Sequence, residues 1–173
     1  MSAENDLIKH LRELALATRL KRLGESLQAD VAKLYAERKI DFEPKWFTML
    51  YALYNRPGMS IVELSDFLKL THPAIIQFSQ QMTRAGLLKI TKDKNDARRK
   101  LLQLTATGRK TFEKIEPILG VIENANRKFL EETGADVLAL IEKMEALLEE
   151  KDMYVRITES EKELNIHKPK KRQ

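Results

Sequence analysis

Apolar residues in the first part of the chain recur at steps of three and four: Leu16, Leu20, Leu23, Leu27, Val31 and Leu34, with Leu7, Leu11 and Leu14 in the same rhythm ahead of them. This is the spacing of one helical face. With no proline in the way, it predicts a single long helix over residues 5–37. Gly24 costs that helix roughly 1 kcal/mol relative to Ala and does not end it. A helix of this length extends beyond a small globule, so its stripe is expected to pack on another chain or to serve as a rigid support. Residues 39–44 break the pattern, and Pro44 opens a second helix carrying Trp46, Met49, Leu50 and Leu53. Arg56-Pro57-Gly58 ends it.

The next segment is punctuated by caps. Ser60 followed three residues later by Glu63 makes a capping box ahead of a short helix with Ile61, Leu64 and Leu68. Thr71 is the next cap, and Pro73 stands in the first turn, where its missing N–H costs nothing. The third helix runs through Ile75, Phe78 and Met82 to Gly86, a C-terminal stop. Leu87, Leu88 and Ile90 then suggest a strand, residues 91–96 a turn, and Leu102-Gln103-Leu104 a half-buried strand, together a hairpin. Thr105 or Thr107 starts a helix through Phe112, Ile115, Leu119, Ile122, Ala125 and Phe129, with a bend or loosening expected at Pro117. Thr133-Gly134 breaks it, and a last helix shows Val137, Leu140, Ile141, Met144, Leu147 and Leu148 on one face. The fold class is mainly α: a winged helix-turn-helix with a two-stranded β wing, flanked by long N- and C-terminal helices. Four regions are expected: 1–43, an N-terminal dimerisation helix; 44–110, the winged unit; 111–163, C-terminal dimerisation helices; and 164–173, a basic disordered tail.

Composition narrows the function. The chain has 173 residues, 43% hydrophobic, 6% aromatic, and no cysteine. Disulfides, thiolate metal sites and thiol redox sensing are therefore excluded. Residues 1–30 lack the layout of a signal peptide, and no apolar run reaches the roughly 18–20 residues of a membrane span. A soluble, cytoplasmic protein is expected. The three histidines, His10, His72 and His167, are too scattered for a metal site, and no metal or cofactor is expected. Phosphate-loop, dinucleotide and metalloprotease motifs are missing, which argues against an enzyme.

Charge is localised. Residues 84–114 hold ten Lys and Arg against three carboxylates, whereas residues 115–163 hold six against thirteen acids. A positive segment beside a negative one suggests a polyanion-binding face, the alternative being a solvated basic hairpin. In a helix-turn-helix the second helix enters the DNA major groove. Here Leu64, Leu68, Leu70, Ile75, Phe78 and Met82 supply a core. His72, Pro73, Ala74, Ile76, Gln77, Gln80 and Gln81 remain for outside contacts. Gln pairs bidentately with adenine, and apolar groups meet thymine methyls. Lys92, Lys94, Arg99 and Lys100 are candidates for phosphate contact or for plain solvation.

Residues 44–110 resemble the winged helix-turn-helix of the multiple-antibiotic-resistance (MarR) regulator family. The matching stretches are Met59 through Leu68, Thr71 through Ile75, Arg84 through Leu88, and above all Asp96 through Gly108. The last of these is similar to the family's D-x-R wing followed by L-x-L-T-x-x-G. The outer helices match more weakly, extending the resemblance to about residues 5–150. It implies a prokaryotic, nucleoid-associated homodimer that regulates transcription from a palindromic operator, read here as a repressor relieved by a small-molecule effector. By the same resemblance Arg98 is the wing arginine for the minor groove and Asp96 the carboxylate that orients it. The alternative is an Asp96–Arg98 pair that only stiffens the hairpin. Effectors in this family bind between the dimer helices and the winged unit, which makes Trp46, Met49, Tyr51 and Tyr54 candidates for that pocket, although their helical spacing equally suits a core. Two departures stand out. Lys69 occupies a position where many members have a turn glycine, and the recognition helix lacks a basic residue near Gln77. The competing function is a winged-helix protein-interaction module without sequence-specific DNA binding.

Overall fold

The computed structural model describes residues 6–93 and 99–164, and in it the N-terminal stripe is not one helix. A short helix α1 (Leu7–His10) is followed by a 3₁₀ turn (Arg12–Ala15) and then α2 (Leu16–Glu37). Two features break the expected rod. Arg12 takes a positive φ of 46°, and Ala15 is buried where the chain reverses. Asp6 secures the reversal: its carboxylate caps α1 through the N–H groups of Ile8 and Lys9 and accepts two bonds from Arg22, at 3.1 and 2.9 Å. Periodicity alone could not reveal this, because the three-and-four spacing runs straight through the turn.

The C-terminal end of α2 packs inward at Tyr35, while Leu16, Leu20, Leu23 and Leu27 stay 42–51% exposed. A 3₁₀ turn (Pro44–Trp46) leads into α3 (Phe47–Asn55), whose Met49, Leu50 and Leu53 are fully buried. There follow β1 (Met59–Ser60), α4 (Ile61–Leu68), α5 (His72–Arg84), β2 (Leu88–Lys92), β3 (Lys100–Leu104) and α6 (Ala106–Glu131). One core joins Leu64 of α4, Ile75 and Met82 of α5, Leu102 and Leu104 of β3, and Phe112, Ile115 and Ile118 of α6. Each such side chain contributes about 1.5–3 kcal/mol when fully removed from water. Pro117 is exposed and does not end α6.

The expected two-stranded wing forms from β2 and β3, and a third strand joins its sheet. β1 pairs with β3 (Met59 opposite Leu102), so the sheet has three antiparallel strands in the order β1-β3-β2. Two residues are too few to show an alternating pattern, which is why β1 was not legible.

The chain divides into two compact units, Met1–Ile122 and Glu123–Gln173. The second contains the end of α6, then α7 (Val137–Glu150) and α8 (Met153–Glu163). Asp136 and Asp152 cap the last two through Ala139 N–H and Val155 N–H. α8 adds a helix beyond the one expected. Arg156 on it donates to the carbonyls of Leu147 and Lys151, closing the C-terminal end of α7. No residue of α7 or α8 is buried, and Leu140, Ile141, Met144, Leu147 and Leu148 lie exposed. Among the described residues no helix is long and apolar enough to cross a membrane.

Candidate nucleic-acid interface

Local chemistry builds the helix pair as the sequence suggested. The Ser60–Glu63 capping box is complete: Glu63 N–H donates to Ser60 Oγ, and the Glu63 carboxylate accepts from Ser60 N–H at 2.8 Å. The turn after α4 is tight. Lys69 takes the left-handed conformation at φ 53°, a region that favours glycine. The turn is held by Leu70 N–H donating to the Ser65 carbonyl and by Ser65 Oγ donating back to the Leu70 carbonyl. The Lys69 departure therefore leaves the turn geometry in place. Thr71 caps α5 through Ala74 N–H. At its far end Gly86 (φ 72°) makes a two-bond stop: Gly86 N–H donates to Thr83 O and Leu87 N–H to Met82 O.

α5 is divided lengthwise. Ile75, Ser79 and Met82 face the core, while His72, Pro73, Ile76, Gln77 and Gln80 are exposed and Ala74 is half-buried. Ile76 is 40% exposed, unusual for a β-branched apolar residue on an ordinary solvent face. Gln81 differs from its neighbours. It is half-buried, and its Oε1 accepts the Trp46 indole N–H at 3.0 Å, tying α5 to the Pro44–Trp46 turn. Thr83 and Arg84, seven residues beyond Ile76 and Gln77, continue the exposed face. The sequence reading passed them over, although the helical repeat pointed to them.

The wing root carries opposed charges. Lys92 of β2 and Lys100 of β3 are exposed and directly opposite in register. Like charges so placed repel, and a bound polyanion relieves the repulsion. Arg99 is engaged by carboxylates, pairing with Glu63 of α4 and, at 3.4 Å, with Asp93. The Ser60 backbone N–H, the Arg99 guanidinium and the Ser60 hydroxyl together hold the Glu63 carboxyl at about 2, against an ordinary 4.5. Lys94, Asp96 and Arg98 lie outside the described residues.

The L-x-L-T-x-x-G stretch has a plain structural meaning. Leu102 and Leu104 fill the core. Thr105 Oγ1 donates to the Gly86 carbonyl at 2.6 Å and accepts Gly108 N–H at 3.0 Å, so one hydroxyl caps α6 and binds it to the end of α5.

The four aromatic and apolar candidates for an effector pocket separate. Trp46 and Met49 are buried, with Trp46 edge-on to Phe42 at 5.8 Å. Tyr54 stacks on Phe112 at 4.0 Å, and Tyr51, about half exposed, meets Phe47 and Phe112.

A capped helix pair with one free outer face, joined to a basic antiparallel wing, defines the winged helix-turn-helix class. Residues 40–99 match the MarR family. A curated relative, the HTH-type transcriptional regulator Hpr of Bacillus pumilus (strain SAFR-032), is 26% identical over 104 residues, 59% of this chain. The chain spans half the length of that relative. Among solved structures, the S. aureus MepR–DNA complex is similar at a TM-score of 0.63 and 21% identity, covering 77% of this chain and 98% of that one. The PcaV transcriptional regulator from Streptomyces coelicolor, in complex with its natural ligand, gives 0.57 and 22%, covering 81% and 93%. Over residues 40–99 the winged helix-turn-helix of this chain is thus similar to that of the MarR family.

Proposed function

We propose that the chain is a sequence-specific, double-stranded DNA-binding regulator of transcription that works as a homodimer on a palindromic operator. The observation that carries this reading is the outer face of α5, where His72, Pro73, Ile76, Gln77 and Gln80 stay exposed beside a wing whose Lys92 and Lys100 face each other. The face suits the major groove, Gln77 and Gln80 being suited to adenine edges and Ile76 to a thymine methyl. Lys92, Lys94, Lys100 and Arg84 serve the phosphates, and by the family resemblance Arg98 is the arginine for the minor groove and Asp96 the carboxylate that orients it. The exposed leucines of α2 are a face for a second copy to cover, and so, taken separately, are those of α7. Gln81 and Arg99 are assigned to structure instead, on the bonds described above. Repression relieved by a small molecule is the finer part of the reading. It is supported by the relative solved with its natural ligand, and Tyr51 is the most accessible of the four candidate residues for it.

Affinity for duplex DNA measured against salt tests this reading. With several phosphates neutralised by each protomer, log K is expected to fall against log salt with a slope of about −5 or steeper. A flat dependence, or no binding at low salt by the folded protein, would favour the protein-interaction module.

A further inference from the structure

We infer that Arg99 is a positioning residue that latches the wing to the first turn of α4, and so fixes the wing relative to the recognition helix. This rests on the DNA-binding reading above.

The latch is built from three elements. Arg99 immediately precedes β3, and its guanidinium pairs with Glu63 through one amino group and with Asp93 through the other. Asp93 follows β2, and its N–H donates to the Arg99 carbonyl at 2.9 Å, so the two residues are also joined by backbone. Glu63 is itself immobilised, because its second oxygen accepts both Ser60 N–H and Ser60 Oγ at 2.8 Å. Ser60 stands opposite Leu101 in the sheet. One carboxylate thus closes the capping box of α4 on one side and grips the base of the wing on the other. Past the Ser60–Leu101 pairing β3 is paired with β2 alone, at Lys92–Lys100, and a two-stranded ribbon is soft. An ion-pair network at its root is where orientation is decided.

Electrostatics set the latch apart from a phosphate contact. Two carboxylates already neutralise Arg99, and both repel an approaching phosphate. Solvent-exposed pairs of this kind contribute little to overall stability. The role is therefore to be read in DNA affinity and wing order rather than in melting temperature.

The test uses Glu63→Gln, which keeps a good capping-box residue but loses the charge, together with Arg99→Ala and the double variant. Each single variant is expected to lose about tenfold in affinity for a specific site, the double no more than either, with non-specific affinity and the salt slope unchanged. Coupling of this kind is how contacting residues announce themselves. If Arg99 instead touches a phosphate, Arg99→Ala makes the salt slope shallower by about 0.9, and Glu63→Gln tightens binding by removing a negative charge. Either result overturns the latch. Amide hydrogen exchange on the DNA-free protein judges it separately: both single variants are expected to speed exchange across β2 and β3. Unchanged exchange in both overturns the latch even if DNA binds. Faster exchange in both variants, when the wild-type protein binds no DNA, retains the contact but removes the DNA-binding reading and the positioning role built on it.

Discussion

Gln77→Glu is expected to weaken specific DNA binding by at least about 100-fold while leaving the melting temperature unchanged within a degree or two. Gln77 is exposed on the second turn of α5, away from the buried line of Ile75, Ser79 and Met82. Glutamine and glutamate have nearly the same shape and helix propensity, so the folded unit has no reason to respond. What changes is charge. A carboxylate placed against base edges and phosphates meets like charge, which costs several kcal/mol, and each 1.4 kcal/mol or so is a factor of ten. Gln77→Ala serves as the milder comparison, losing only the about 1–3 kcal/mol of a bidentate base contact. Affinity by fluorescence anisotropy, with thermal melting on the same samples, decides it. If Gln77→Glu binds as the wild type does, α5 does not face DNA.

Gly108→Ala carries the largest effect expected on stability. A helical glycine is normally a liability of about 1 kcal/mol relative to alanine. At Gly108 the sign reverses. A Cβ built there lies 2.2 Å from the Leu87 carbonyl oxygen and 3.4 Å from Leu104 Cβ. That oxygen belongs to the backbone and already accepts Thr105 N–H at 3.0 Å, so it cannot swing aside as a side-chain tip would. Relief requires α6 to move away from the end of α5, which disturbs the Thr105 bonds and the buried Leu87 together. The expected cost is about 3 kcal/mol, the upper range for overpacking, and a melting temperature lower by roughly 10 °C. Gly120→Ala is the control. Nothing lies within 4 Å of the added carbon there, so a small gain is expected. Thermal denaturation of the two variants compares them, and a Gly108→Ala protein as stable as the wild type would contradict this packing.

What was legible in the sequence was what short-range chemistry decides. The Ser60–Glu63 box, the Thr71 cap and the Gly86 stop each depend on residues within four positions, and each forms as read. The alternation of Leu102, Gln103 and Leu104 likewise gave the strand and its buried side. Misses came from distant partners. Asp6 meets Arg22, sixteen residues on, and with the turn at Arg12–Ala15 divides the long N-terminal helix. Trp46 donates to the Gln81 oxygen from 35 residues away, a tie between α5 and the Pro44–Trp46 turn that no local pattern signals. Arg99 reaches Glu63 across 36 residues, so a basic residue in a basic run has a structural bond that no local pattern signals. On the outer face of α5, Thr83 and Arg84 continue the line of exposed residues one turn past Ile76, Gln77 and Gln80.

Selection of bound fragments from a pool of random duplexes, using the full chain, tests the central claim most directly. Two recognition helices in a two-fold dimer predict enrichment of an inverted repeat, its half-sites centred about 10 base pairs apart, or one turn of the double helix. A folded protein that enriches no sequence through successive rounds at low salt would contradict it.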